Sequence, residues 1–176
     1  MEKSLKSMAV NYGLYLGLIL SAATIIAYTV NLELFTKWWY GIILLFVIIA
    51  FGIVSTSKAK GALQGFISFK QAFSSFFITV AIGLLISTVV TVVIFNFVDP
   101  EAAEIVKEST IQASVSMMEN FGAPQETINQ TVAEMQNTNQ FGMASLAQSL
   151  AWQLLFYAVI GLIVGAIMKK KDPNAE

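Results

Sequence analysis

Few residues in this chain are of a type that does chemistry, and they form two groups. Asp99, Glu101, Glu104 and Glu108 lie within ten positions, and hard carboxylate oxygens suit Ca2+ or Mg2+. Spread along a helix, they read instead as a solvated face that keeps its segment off an anionic membrane. The second group is uncharged: Thr88, Thr91 and Asn96 in the middle of the chain, and Gln148, Ser149 and Gln153 towards its end. A buried amide seeks an interhelical hydrogen bond worth about 1 kcal/mol. That structural role is preferred for Gln153 and Asn96 over lining a solute path. Cys and His are absent, and all ten basic residues are Lys, so thiolate chemistry, imidazole catalysis and zinc sites of the usual type are out of reach. No His-Glu-x-x-His run, Walker-type glycine loop or Gly-x-Gly-x-x-Gly fingerprint occurs. The expectation is a protein that is not an enzyme, with no catalytic residues, cofactor or metal.

The elements that hold these groups are set by hydrophobicity. The 176 residues are 56% hydrophobic and 12% charged, with a mean hydropathy of +0.71, against about a quarter charged in soluble domains. So short a chain cannot hide that much apolar surface in a soluble core. A lipid bilayer is therefore the expected partner. The net charge of -1 makes no electrostatic case for nucleic acid.

One stretch orients the rest. Ala72 to Val98 carries no charge and stops at Asp99-Pro100-Glu101; only lysines (Lys58, Lys60, Lys70) lie just before it, and seven acids against one Lys follow it before the next apolar run. A helix of that length crosses the roughly 30 Å hydrocarbon layer, with its lysine-rich end expected in the cytoplasm. Similar runs cover about 8–30, 38–57 and 146–168. The first, after Lys3 and Lys6, also fits a signal peptide with Ser21 and Ala23 near a cleavage point. It continues through Ile25, Ile26 and Val30, however, and reads as a retained helix. Trp38, Trp39 and Tyr40 open the second run as an aromatic belt at the outer interface, and Trp152 sits near the outer end of the fourth. Lys169, Lys170 and Lys171 close the fourth run on the cytoplasmic side, before a short tail at 172–176. Lys58 to Gln71, three lysines among apolar residues, suits either a segment lying along the headgroups or a plain loop.

Residues 99–144 are expected outside the membrane. Asp99 as N-cap and Pro100 as first helical residue start a new helix. Its projection places Glu101, Glu104, Glu108 and Glu119 on one side and Ala102, Val106, Ala113, Met117 and Phe121 on the other. Gly122 and Pro124 give a stop and restart, and Ile128, Val132 and Met135 repeat the spacing in a second helix ending near Asn137. Ser145 is the expected cap of the last span. Gly13, Gly17 and Ser21 on the first span and Gly161 and Gly165 on the last form small-residue faces, for packing within the bundle or for self-association or a partner span. The fold class expected is all-α: one membrane domain over 1–176, a four-helix bundle with an external amphipathic hairpin between spans 3 and 4 and both termini inside.

Phe69-Lys70-Gln71-Ala72-Phe73 entering the third span, Asn96-Phe97-Val98-Asp99-Pro100-Glu101 leaving it, and the acidic segment before the last span together resemble the domain-of-unknown-function 4199 family, bacterial membrane proteins mostly from Bacteroidota. The resemblance spans nearly the whole chain. It implies a four-span protein of a bacterial cytoplasmic membrane with no assigned activity, and brings no catalytic or binding residues.

The function expected is a non-catalytic interaction, accessory or structural membrane protein. A homo-oligomer or a membrane protein partner would meet the glycine faces or the hairpin acids Glu101, Glu104, Glu108 and Glu119. The alternative is a small oligomeric transporter or channel subunit.

Overall fold

A computed structural model describes residues 2–171; Met1 and the tail at 172–176 lie outside the described residues. Six α-helices follow one another: α1 (Glu2–Val30), α2 (Trp38–Ala62), α3 (Phe69–Val93), α4 (Pro100–Asn120), α5 (Gln125–Asn137) and α6 (Met143–Met168). The four segments Lys3–Val30, Trp38–Ala62, Phe69–Val98 and Met143–Met168 are long and apolar enough to cross a membrane. The chain is a multi-pass membrane protein.

The helices outrun the apolar stretches that announce them, because helix propensity does not end where hydrophobicity does. Lys58, Ala59 and Lys60 are good helix formers, and they continue α2 to Ala62. Of the segment 58–71, expected to be a headgroup-lying stretch or a loop, only residues 63–68 are non-helical. Gly65, at φ 88° where a side chain would be strained, returns its N–H to the Lys60 carbonyl at 2.9 Å. Ser68 then starts α3 with a reciprocal cap: its Oγ accepts from the Gln71 N–H, and Gln71 Oε1 accepts from the Ser68 N–H. Ile67 and Lys170 exchange backbone hydrogen bonds (3.0 and 2.9 Å), which ties this turn to the end of α6. Lys170 Nζ also lies 5.3 Å from the Phe66 ring centroid.

The core is organised on α3. It packs against α1, α2 and α6, whereas no comparable contact joins α1 to α6. Its buried residues are Ala72, Ser75, Phe76, Thr79, Val80, Gly83 and Leu84, spaced alternately three and one apart along one stripe. Small members of the stripe admit neighbours. Gly83 faces Leu16 of α1, and Gly52 of α2 and Gly161 of α6 both face Phe76. Around them Leu16, Leu20, Ile48, Phe76, Val80, Leu84, Tyr157 and Val164 form the central apolar cluster. Lipid gives helices no hydrophobic reason to associate, so such close approach, with the dispersion contacts it allows, is what holds them.

The third span ends in one wide turn, Ile94–Val98, closed by the Asp99 N–H on the Ile94 carbonyl at 2.8 Å. The extra residue in the turn shifts the helical phase, and Ile94 and Phe95 both turn inward. Between α1 and α2 the chain forms a 3-10 turn, Leu32–Thr36, capped by Asn31 Oδ1, which accepts from the Glu33 N–H at 2.9 Å. Leu32 and Phe35 from that turn join Ile94, Phe95, Ala102, Ala103 and Val106 in a second apolar cluster. Ser145 does not cap α6. The helix starts earlier, after Gly142, whose extended backbone makes no side-chain cap.

A Cβ added at Gly83 would lie 2.6 Å from two carbons of Leu16, whereas nothing lies within 4 Å of one at Gly41. Gly83→Leu is therefore expected to cost about 1–3 kcal/mol by overpacking and to lower the thermal midpoint in detergent. Gly41→Ala should leave it within error, circular dichroism being the readout for both.

Candidate functional site

Two places bring polar side chains together, one at each end of the bundle. The first is at the end that gathers Lys3, Lys6, Lys58, Lys60, Lys70, Lys169, Lys170 and Lys171. There α1 and α3 run parallel and part slightly, leaving a cavity of about 180 Å3. Lys6 of α1 and Lys70, Gln71, Ser74 and Ser75 of α3 give it polar walls, and Leu5, Ala9 and Ile78 give it apolar ones. Gln71 has its carbonyl oxygen committed to the Ser68 cap, so its NH2 remains to serve the cavity. The ion pairs among the described residues, Lys37 with Glu33 at 3.3 Å and Lys107 with Glu104 at 4.0 Å, are both elsewhere. Two ammonium groups, an amide and hydroxyls can hold an anion; they offer no nucleophile paired with a base.

Beneath that cavity lies a buried hydroxyl cluster. Thr79 Oγ1 is 2.8 Å from Ser55 Oγ, 2.9 Å from the Ser75 carbonyl and 3.1 Å from the Ala9 carbonyl, and its single proton serves one of these at a time. Thr56 Oγ1 donates to the Gly52 carbonyl at 2.8 Å and is 3.4 Å from that of Ala72. These contacts link α1, α2 and α3 where all are dry. The polar groups singled out from the sequence did not include Ser55, Thr56, Ser75 or Thr79. The available signal was their three- and four-residue spacing beside Ala72, Gly52 and Gly83. Ser21 Oγ is buried with no partner among the described residues.

At the opposite end Asp99 joins three elements. Its Oδ1 accepts from the Ala102 N–H, capping α4, and its Oδ2 accepts from the Tyr28 hydroxyl at the end of α1, both at 3.0 Å. Asn96 Nδ2 donates to the Phe141 carbonyl at 2.7 Å and the Val92 carbonyl at 3.2 Å, and Phe141 stacks on Phe95 with centroids 4.2 Å apart. Asn96 thus makes a tertiary hydrogen bond, to the α5–α6 connection rather than to another span. Lys107 Nζ donates to the Gln136 carbonyl at 2.7 Å, satisfying an orphan acceptor at the end of α5.

The hairpin is held at its root and bare at its tip. Ala102, Ala103 and Val106 are buried, but Ala113 is exposed, and Met117 and Phe121 are 56% and 85% exposed. The apolar face read from the projection is therefore covered only in its first turns, because α4 leaves the end of the bundle and α5, with Ile128 buried, shields one side of it. Glu101, Glu104, Glu108 and Glu119 all lie on the exposed surface. No group of three or more acids among the described residues is arranged to hold a metal.

The remaining singled-out residues separate by face. Gly13 and Gly17 of α1 lie against Ile82 and Ile86 of α3, and Gly161 and Gly165 of α6 against Phe73, Phe76 and Phe69. Gln148, Ser149 and Gln153 lie on the exposed surface of α6. The hydrogen bond expected of Gln153 is not formed among the described residues, since α6 packs mainly on α3 and turns this side away. Thr91 Oγ1 only returns to the Ser87 carbonyl at 3.0 Å.

A family model described as "Protein of unknown function (DUF4199)" matches residues 11–170. No curated protein and no solved structure matches the chain.

Asp99→Ala removes a cap and the acceptor for Tyr28 together, and a cap alone is worth about 1 kcal/mol. Faster hydrogen exchange is expected over Pro100–Asn120, with exchange of Phe69–Val93 unchanged; equal loosening of both helices would contradict the role given to Asp99.

Proposed function

The chain belongs to the DUF4199 family, and on that footing we propose that it is a non-catalytic interaction or accessory protein of a bacterial cytoplasmic membrane. In this reading both termini are cytoplasmic and the α4–α5 hairpin is outside. The lysine distribution supports the orientation: eight of the ten lysines sit at one end of the spans, and short loops rich in Lys stay in the cytoplasm.

The observation that carries the proposal is the unequal burial of α4. A segment that merely joined two spans would be short or would spend its apolar residues on the bundle. Here the root is fixed by Asp99, Tyr28 and the Ala102–Val106 cluster, while Met117 and Phe121 project from the far end. A rigid root and a bare apolar tip flanked by carboxylates are the parts of a contact surface: the apolar side chains supply the burial and the acids restrict the partner's charge. A transporter would have to run its path between copies, because the centre of one chain is filled by Leu16, Phe76, Val80, Leu84 and Tyr157.

Two outcomes test this reading. A photo-crosslinker at Phe121 in intact cells is expected to capture a protein, either another copy or a partner. The Met117→Ser, Phe121→Ser double variant, crosslinked from Ala113, should lose that product while keeping its yield and thermal midpoint; capture undiminished in this variant would count against the tip. Glu119→Cys in this cysteine-free chain should react with an impermeant maleimide added outside intact cells, and labelling only after the membrane is opened would reverse the orientation.

A further inference from the structure

The cavity between α1 and α3 raises a question that the hairpin does not answer: why two cations should share one opening. Lys6 and Lys70 come from different helices and line the same 180 Å3 space. Both are exposed at its edge, and two ammonium groups bordering one opening at a low-dielectric boundary favour an anion there. The ion pairs found among the described residues use neither lysine. The space is also far larger than the roughly 10–15 Å3 that one water needs, and enough for a phosphate group with part of what it is esterified to.

The lining changes with depth. Lys70 is in the first turn of α3 and Ile78 is eight residues further along it, about 12 Å deeper at 1.5 Å per residue. Lys6 and Lys70, both exposed, stand at the mouth with Leu5 beside them, the half-buried Gln71 and Ser74 and the buried Ser75 come next along α3, and Ile78 and Ala9 lie below. A free inorganic anion would use the upper part and gain nothing from the lower. A phospholipid has the same order of parts, with phosphate, ester oxygens and then acyl chain, and the mouth lies at the membrane boundary where headgroups are. The geometry points to a binding site for the phosphate headgroup of an anionic phospholipid in the leaflet at the lysine end, with Lys6 and Lys70 as its charge partners and the Gln71 NH2 and Ser74 hydroxyl as its hydrogen-bond donors. The site is at the opposite end from the hairpin, so its failure and the failure of the hairpin reading are separate results.

The test uses the full chain in detergent, with phosphatidylglycerol, phosphatidylcholine or inorganic phosphate added. Bound lipid is read by native mass spectrometry and stability by the thermal midpoint. Phosphatidylglycerol is expected to be retained and to raise the midpoint. The Lys6→Gln, Lys70→Gln variant should lose about fivefold in affinity per lysine, roughly 25-fold together. Lys6→Arg, Lys70→Arg should keep most of the binding, which separates lost charge from lost fold. Ser74→Leu, filling the cavity with both lysines in place, should also release the lipid. Lys58→Gln, Lys169→Gln removes equal charge from the same end outside the cavity and should bind as the parent does. Equal loss in this last variant would reduce the effect to bulk attraction, and equal retention of phosphatidylcholine would remove the anion from the argument. A midpoint rise with inorganic phosphate as large as with phosphatidylglycerol would make the ligand a soluble phosphate. Any of the three overturns the assignment.

Discussion

Everything in this protein depends on how closely other helices can approach one face of α3. In water an apolar stripe is driven together by the solvent; in hydrocarbon that drive is missing, and only fit and hydrogen bonding distinguish a neighbouring helix from a lipid tail. The stripe from Ala72 to Leu84 supplies both. Its glycine, alanine and hydroxyl residues let α1 and α2 come close, and its large members, above all Phe76, fill the hollows left at Gly52 and Gly161. The Thr79 hydroxyl adds direction, since Ala9 and Ser55 satisfy it only in one register of the three helices. A one-residue slip would take Ser55 Oγ away from Thr79 where water cannot reach it, while Thr79 would keep only the Ser75 carbonyl of its own helix.

From that hub the two ends of the molecule diverge. At the lysine end the chain is clamped by backbone, through the Ile67–Lys170 exchange, and by the capping box at Ser68. At the other end it is clamped by side chains: Asp99 and Asn96 each reach a distant element across a wide helical turn. The difference follows from what each end must do. The first closes a short connection, which a backbone exchange and a local capping box can manage. The second must redirect the chain out of the bundle and return it some 40 residues later, and a side chain with two acceptor atoms can join a helix start to a neighbouring span where backbone groups cannot.

How much of this was legible depended on whether the signal was local. Asp99-Pro100 announced a helix start because capping and the proline constraint act within one turn, and the four spans announced themselves by length and composition. The hairpin's two helices followed from Gly122 and Pro124 in the same way. The α3 stripe was harder to see. No residue from Ala72 to Val93 is charged, so the contrast between buried and lipid-facing sides lies in size and hydroxyl placement more than in hydrophobicity. The α1–α3 cavity was invisible for another reason. Lys6 and Lys70 are 64 positions apart, and only the parallel pairing of two spans that are not consecutive brings them together. Projection also misjudged α4: it gives the direction of Met117 and Phe121 correctly and says nothing of whether a neighbour is there to cover them.

These distinctions sort the polar and exposed residues by what they still lack. Thr79, Thr56, Asn96 and Tyr28 find their partners inside the chain, so their chemistry is spent on specifying the fold. Lys6 and Lys70 at the mouth of the α1–α3 cavity, Gln153 on α6, and Met117 and Phe121 at the hairpin tip are exposed instead. A flexible surface can leave such groups unsatisfied at little cost because water replaces any partner. On spans at a lipid boundary the alternatives are fewer: ammonium groups beside one opening favour an anion, and an amide facing hydrocarbon needs a donor and an acceptor. Apart from the buried Ser21 hydroxyl, the fold thus pairs its interior polar side chains and leaves a short set of requirements at its surface, each chemically distinct from the others. A molecule that meets one of them need not meet the rest.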